Sequence, residues 1–90
     1  METKYYEPTT SQTTKHPAGG YLRGEASPNG LSLNVHDTRK IDGKRRSIKA
    51  VVYQRGSAGW EVVKNPGENY EVLGQFKTMT AWAAYELAFA

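Results

Sequence analysis

Positive charge is concentrated in one short stretch of the chain, between residues 39 and 55. Seven basic residues lie there beside a single acid, Asp42, which gives the stretch a net charge of +6. The rest of the chain holds five bases and eight acids, a net charge of −3. A small protein whose charge is divided in this way presents a cationic surface to a polyanion or an acidic protein, while its other surfaces repel the same ligand.

The basic stretch contains its own turn. Asp42-Gly43 is a dipeptide that accepts positive φ at both positions, and it therefore predicts a tight β-hairpin. In that hairpin Lys40 lies opposite Arg45, and Arg39 lies opposite Arg46. Like charges directly across from one another destabilise a hairpin, and a phosphate or carboxylate bound between them relieves the repulsion. Because two-stranded ribbons also fit nucleic-acid grooves, the pattern favours a binding function.

Three further residues extend this basic surface along one face of the returning strand. Lys49, Tyr53 and Arg55 place an aromatic ring between cations, as base stacking and backbone contact require. The sequence predicts a site for nucleic acid, with DNA favoured, or for an acidic protein surface, formed by Arg39, Lys40, Lys44, Arg45, Arg46, Lys49, Tyr53 and Arg55. The alternative interpretation is that an exposed hairpin carries these charges only for solubility.

The sequence offers little for catalysis or metal binding. His36 and Asp37 are adjacent, so on a strand they point to opposite faces and do not form the orienting pair of a hydrolase. Neither histidine has a metal-ligand companion at a recognised spacing, and we expect no metal and no cofactor. Glu61 and Glu71 could neighbour one another on adjacent strands like a glycosidase pair, but the chain is too short to build a substrate cleft. We therefore predict a protein that is not an enzyme.

Asp37 also lies near the edge of the predicted core. It could pair with Arg39 or mark the limit of burial, and we favour the limit.

Hydrophobic alternation and turn dipeptides predict the strands that carry this surface. Residues 31 to 37 alternate apolar and polar side chains, which is typical of a strand with one buried face. The register of the basic hairpin places Val35 opposite Ala50, apolar against apolar. A second turn, Asn29-Gly30, pairs the run from 21 to 26 with the same strand and keeps the core on one side.

The remaining elements complete an α+β domain. Strands are predicted from Trp60 to Lys64 and from Tyr70 to Phe76, with a turn at Asn65-Pro66-Gly67 between them. Thr78 or Thr80 caps a terminal helix with an aromatic stripe of Trp82, Tyr85 and Phe89. The predicted fold is a five-stranded antiparallel meander sheet packed against one C-terminal helix.

Composition sets the expected domain limits and location. Residues 1–20 are rich in Thr, Pro and Gly without an apolar period, so we expect a flexible tail followed by a single α+β domain at 21–90. The chain has no Cys, no apolar signal-peptide core, and no apolar stretch near the roughly 20 residues that span a bilayer. We expect a cytoplasmic protein without a membrane partner. The alanine-rich outer face of the helix, where Glu86 is the only charge, adds the hypothesis of a homodimer through the C-terminal helix.

Motifs in the C-terminal half resemble a known DNA-binding pattern. They are Gly59-Trp60, Asn65-Pro66-Gly67, the run Leu73-Gly74-Gln75-Phe76-Lys77-Thr78, and the helix with Ala81, Ala83 and Tyr85. This arrangement resembles the three-stranded-sheet-plus-helix DNA-binding domains of plant ethylene-response factors and the arm-type binding domains of phage integrases.

The resemblance covers about residues 49 to 89. It implies a sheet laid in the major groove of DNA, with Lys49, Tyr53 and Arg55 on the first of its strands. The chain departs from the family pattern at Glu61 and Glu71, where that pattern favours Arg or Trp, and its N-terminal hairpin is foreign to the family.

A different class of function fits the same features. A small phage- or plasmid-type inhibitor could block a host defence or transcription complex by occupying a partner surface. In that case the basic tip meets an acidic protein groove, and Trp82, Tyr85 or the alanine face supplies apolar anchoring. Binding to nucleic acid at low salt distinguishes the two hypotheses.

Overall fold

Eight strands and one α-helix form the fold in the computed structural model, which describes residues 9–67 and 69–90. The main sheet has the order β1-β2-β3-β6-β7-β8, and β4 and β5 form a separate two-stranded ribbon. The elements are β1 (Gln12–Lys15), β2 (Tyr21–Ala26), β3 (Ser32–Asp37), β4 (Lys40–Ile41), β5 (Lys44–Arg45), β6 (Ile48–Gln54), β7 (Trp60–Lys64), β8 (Glu71–Phe76) and α1 (Ala81–Ala88). The α+β class and the antiparallel sheet with a C-terminal helix agree with the sequence prediction.

The two hairpin registers are confirmed. Asp42 and Gly43 both have positive φ, 53° and 79°, as the dipeptide predicts. Val35 lies opposite Ala50, and the Asn29-Gly30 hairpin places Ala26 opposite Leu33. Beyond β3 the chain leaves the main sheet, so that the ribbon β4–β5 forms a distinct tip on the long hairpin.

The strand count corrects the prediction of five, because a sixth strand lies within the segment that composition assigned to a tail. All four residues of β1 are exposed, so the strand carries no hydrophobic signal. It is held by its pairing with β2, and neighbouring residues add further bonds. Ala26 N donates to Ser11 Oγ at 2.7 Å, and Trp82 Nε1 donates to the Thr10 carbonyl at 3.0 Å. Residues 1–8 of the expected tail lie outside the described residues.

The core lies between the main sheet and α1. Leu33, Val52, Trp60 and Val62 are fully buried on the helix-facing side of the sheet, and Ala84 and Tyr85 of α1 pack onto them. Thr80 rather than Thr78 caps the helix, since Ala83 N donates to Thr80 Oγ1 at 3.0 Å. Ala81 and Ala84 are buried on the inner face of α1 and let the helix approach the strands closely, which corrects the expectation of an alanine-rich outer face.

Trp82 fixes the helix against the β2 side of the sheet. A Cβ atom at Gly24 would lie 2.5 Å from Trp82 Cη2, so this position requires glycine for the ring to lie over the strand. Within residues 9–67 and 69–90, no α-helix lies on the other face of the main sheet, which we call the helix-free face. No helix in the described part of the chain is long and apolar enough to cross a membrane.

Candidate nucleic-acid interface

A buried carboxylate lies at the base of the basic hairpin. Asp37 is 0% exposed, and its Oδ1 accepts bonds from the backbone N and the Nε of Arg39, both at 3.0 Å. Its Oδ2 accepts from Arg39 Nη2 at 2.8 Å, Arg46 Nη1 at 3.0 Å and Tyr85 Oη at 2.7 Å. The prediction that Asp37 marks the limit of burial is wrong, because this residue joins the hairpin to the helix.

The donors determine the charge state of this cluster. Burial by itself raises the pKa of Asp37, but hydrogen bonds from Arg39, Tyr85 and Arg46 outweigh it and hold that pKa well below its usual range. Burial raises the pKa of the Tyr85 phenol most, and its hydrogen bond to Asp37 raises that pKa further. The hydrogen bond to Asp37 raises the pKa of Arg39. At neutral pH the carboxylate is therefore ionised, and the phenol stays protonated and donates a hydrogen bond to it.

This cluster removes two of the predicted contact residues from the free surface. The side chains of Arg39 and Arg46 are only 15% and 24% exposed. Arg39 also pairs with Glu86 at 3.3 Å, and Arg46 Nη2 donates to the Phe89 carbonyl at 3.4 Å. Their mutual repulsion is therefore relieved by an internal carboxylate, which corrects the expectation that an external anion is needed between them.

The tip itself keeps its cations at the surface. Lys40, Lys44 and Arg45 are all exposed on the ribbon β4–β5, and Lys40 lies directly opposite Arg45. Within residues 9–67 and 69–90, none of the three has an acidic side chain within ion-pair distance. Asp42 in the turn is the one acid of the hairpin beyond its anchored base.

The other three predicted residues lie further along the hairpin, on or beside the helix-free face of the main sheet. Lys49 is exposed there, and Tyr53 is half-buried. The Arg55 guanidinium lies over the Tyr53 ring, 4.9 Å from its centroid, and is also bonded to the buried Glu61. The hydrogen bond that Arg55 donates to Glu61 raises the pKa of Arg55. The structure therefore brings Tyr53 and Arg55 together, and it pairs Arg55 with an acid of the same chain, Glu61.

The carboxylate pair considered for catalysis does not form. Glu61 lies opposite Gln75 and Glu71 lies opposite Lys64, so the two acids occupy different positions along β7 and β8. In the part of the chain that the structure describes, no group of three or more His, Asp or Glu residues is placed to hold a metal ion.

Sequence reasoning missed one cationic feature of the helix-free face. Arg23, His36 and Lys49 lie directly opposite one another across β2, β3 and β6, in a single row. A cavity of about 390 Å³ lies over this row and is lined by Arg23, Glu25, Asn34, His36, Lys49 and Pro66, together with Val35 and Ala50. The registers of the two hairpins together place these three residues in one row, so the row was predictable from the sequence.

Comparison of the chain with protein-family models, curated proteins and solved structures found no match. The charges and geometry of these surfaces are therefore what indicates a function.

Proposed function

We propose that this protein is a non-enzymatic nucleic-acid-binding module, with DNA favoured, that contacts backbone phosphates through the tip of its long hairpin. The observation that carries the proposal is the division of the hairpin arginines and lysines into two groups. Arg39 and Arg46 hold the base of the ribbon, whereas Lys40, Lys44 and Arg45 extend from it into solvent. Folding explains the first group and leaves the second without an internal role.

The anchored base contributes to binding by fixing the ribbon. The contacts of Asp37 with Tyr85, and of Arg39 with Glu86, tie the hairpin to α1. A ribbon that is already held in place loses less conformational freedom on binding than a free one. Arg39 and Arg46 are thus positioning residues, and the three tip cations are the phosphate contacts.

The shape of the ribbon fits a duplex. A two-stranded β-ribbon enters the major groove, which is about 12 Å wide. Lys49 adds a fourth cation on the helix-free face, and it is also one of the residues that the resemblance to plant and phage DNA-binding domains implies. Three to four phosphate contacts give a slope of about −3 to −4 in log K against log salt concentration.

Fluorescence anisotropy with random-sequence duplex DNA at several salt concentrations tests the proposal. The triple variant Lys40→Gln, Lys44→Gln, Arg45→Gln is expected to flatten the salt slope by about one unit per lost contact. A control removes cations away from the tip, with Lys64→Gln and Lys77→Gln, and the change in the salt slope is compared per lost charge. Equal weakening in both variants, or no binding by the unmodified protein at low salt up to tens of micromolar, would contradict a tip-directed site.

A second candidate, the protein-binding inhibitor, is favoured by the distribution of exposed apolar side chains. Of the five large ones in the described residues, four lie on or beside β8 and α1: Tyr70, Val72, Met79 and Leu87. Tyr70 and Leu87 are 63% and 58% exposed, and Leu87 on the outer side of α1 is the apolar anchor that an inhibitor of this kind would present to its partner.

A pull-down from the native cells with and without nuclease separates the two candidates. A partner that survives nuclease, is lost with Leu87→Ser and is kept by the triple tip variant favours the inhibitor. Homodimerisation through α1 stays a prediction, and sedimentation showing a monomer well above micromolar concentration would remove it.

A further inference from the structure

We infer that the helix-free face of the sheet holds a second binding site, for a nucleotide whose base carries an amino group, in the cavity over Arg23, His36 and Lys49. This site goes beyond the hairpin tip and does not depend on it. Adjacent strands lie about 4.8 Å apart, so the Cα atoms of Arg23 and Lys49 are about 10 Å apart with His36 between them. Two long cationic side chains therefore flank one imidazole ring.

This row fits the phosphate of the ligand. Arg23 and Lys49 lie on the two strands that flank His36, so an anion seated above the imidazole contacts both cations together. The guanidinium fork of Arg23 matches two phosphate oxygens. The Tyr21 hydroxyl lies 3.4 Å from His36 Nδ1, and the two rings meet edge to face, so Nε2 is the ring nitrogen left for a ligand.

The next row along the strands fits the base rather than a second phosphate. Glu25 and Asn34 lie opposite one another two residues further on, about 7 Å from the cationic row. Glu25 lies 3.8 Å from Arg23 and is 72% exposed, so its carboxylate is held only loosely. A carboxylate repels a simple dianion but accepts a hydrogen bond from an exocyclic amino group, and the Asn34 amide offers both a donor and an acceptor.

The cavity has a size and a wall that suit such a ligand. Its volume of about 390 Å³ falls in the range of about 300 to 1,000 Å³ typical of small-molecule sites. Pro66 forms an apolar wall beside the cationic row. The position of its turn is fixed, because Asn65 N donates to the Lys49 carbonyl at 2.8 Å. The same chemistry is offered by a free mononucleotide and by one nucleotide of a single strand.

NMR titration of the full chain with CMP, UMP and inorganic phosphate tests the inference, because UMP lacks the amino group. CMP is expected to shift the amides of β2, β3 and β6 and to bind more tightly than the other two probes. Arg23→Gln is expected to weaken CMP binding by about tenfold to a hundredfold, as for a lost hydrogen bond between charged groups. Glu25→Gln is expected to abolish the preference for CMP over UMP. Lys77→Gln removes one charge far from the row and serves as the control.

Three results would overturn the nucleotide site. They are no amide shifts up to about 10 mM CMP, equal binding of CMP and inorganic phosphate, and shifts confined to the tip ribbon. The triple tip variant is expected to keep CMP binding, while Arg23→Gln leaves the duplex salt slope unchanged, so failure of one proposal is visible apart from the other. A cytidine oligonucleotide that binds more tightly than CMP identifies a single strand as the source, and equal affinity identifies the free nucleotide.

Discussion

Replacing Asp37 with Asn tests the anchor on which the hairpin tip depends. The substitution keeps the size of the side chain but changes one acceptor oxygen into an amino group. If the remaining oxygen stays at the Oδ2 position and accepts from Arg39 Nη2, Arg46 and Tyr85, the new amino group faces the backbone N and the Nε of Arg39, which are both donors. Two hydrogen bonds are lost, and Arg39 and Arg46 lose the carboxylate between them, while Arg39 keeps its ion pair with the half-exposed Glu86.

The expected cost follows from these contacts. Removing one partner of a buried ion pair costs about 3–5 kcal/mol, and the partial exposure of Arg39 and Arg46 reduces this to about 2–4 kcal/mol. We therefore expect Asp37→Asn to lower the free energy of unfolding by about 3 kcal/mol in urea denaturation at pH 7. Asp42→Asn makes the same chemical change at an exposed turn position that accepts asparagine, and it should stay within about 0.5 kcal/mol of the unmodified protein.

The pH dependence of this difference gives a second test. The pKa of Asp37 is lowered in the folded protein, so its stabilisation is fully present above the unfolded pKa of about 3.9 and is lost as the pH falls towards the folded value. The gap between the unmodified protein and Asp37→Asn should be constant from about pH 6 to pH 8 and should shrink below about pH 4. A gap under about 1 kcal/mol at pH 7, or one that does not change under acid conditions, would refute the anchor.

Two further substitutions test the helix cap and the tip. Thr80→Ala is expected to cost about 1 kcal/mol because it removes the acceptor for Ala83 N, whereas Thr78→Ala should cost less than about 0.5 kcal/mol; equal losses in urea denaturation would show that the cap is misassigned. Lys40→Glu replaces a like-charge pair opposite Arg45 with an ion pair, so it should raise the free energy of unfolding by about 0.2–1 kcal/mol while weakening duplex binding at low salt. Unchanged or tighter binding would argue against phosphate contact at the tip, and a less stable fold would argue against repulsion between Lys40 and Arg45.

Local signals predicted the hairpins well. Asp42 and Gly43 both take positive φ, as a two-residue turn requires, and such a turn fixes the register of its strands. At Asn29-Gly30 only Gly30 has a positive φ, and Gly30 N donates to the Ser27 carbonyl, yet this longer turn leaves the same residues paired. Val35 lies opposite Ala50 and Lys40 lies opposite Arg45, as the turn dipeptides predict. A one-residue slip would have turned the apolar residues out of the core, so the pattern and the turn agreed on one answer.

Two features had no local signal. β1 is entirely polar and exposed. Backbone hydrogen bonds hold it to the edge of β2, and nothing in the sequence indicates that this edge has a partner strand. One partner of Asp37 is Tyr85, 48 residues away in the sequence. The spacing of the aromatic residues on the helix indicated only that the Tyr85 ring faces the core. When the position of the Tyr85 hydroxyl is unknown, an acid at the end of a buried strand is interpreted as the boundary of the core.

The buried anchor changes what the charge of the hairpin implies. A cluster of like charges is a functional signal only to the extent that folding does not account for it, and Asp37 accounts for Arg39 and Arg46. Folding does not account for the Lys40–Arg45 pair or for Lys44, which lie on a ribbon separate from the main sheet. A purely solubilising role requires neither a ribbon fixed to the helix nor cations paired across it, whereas phosphate binding is favoured by both.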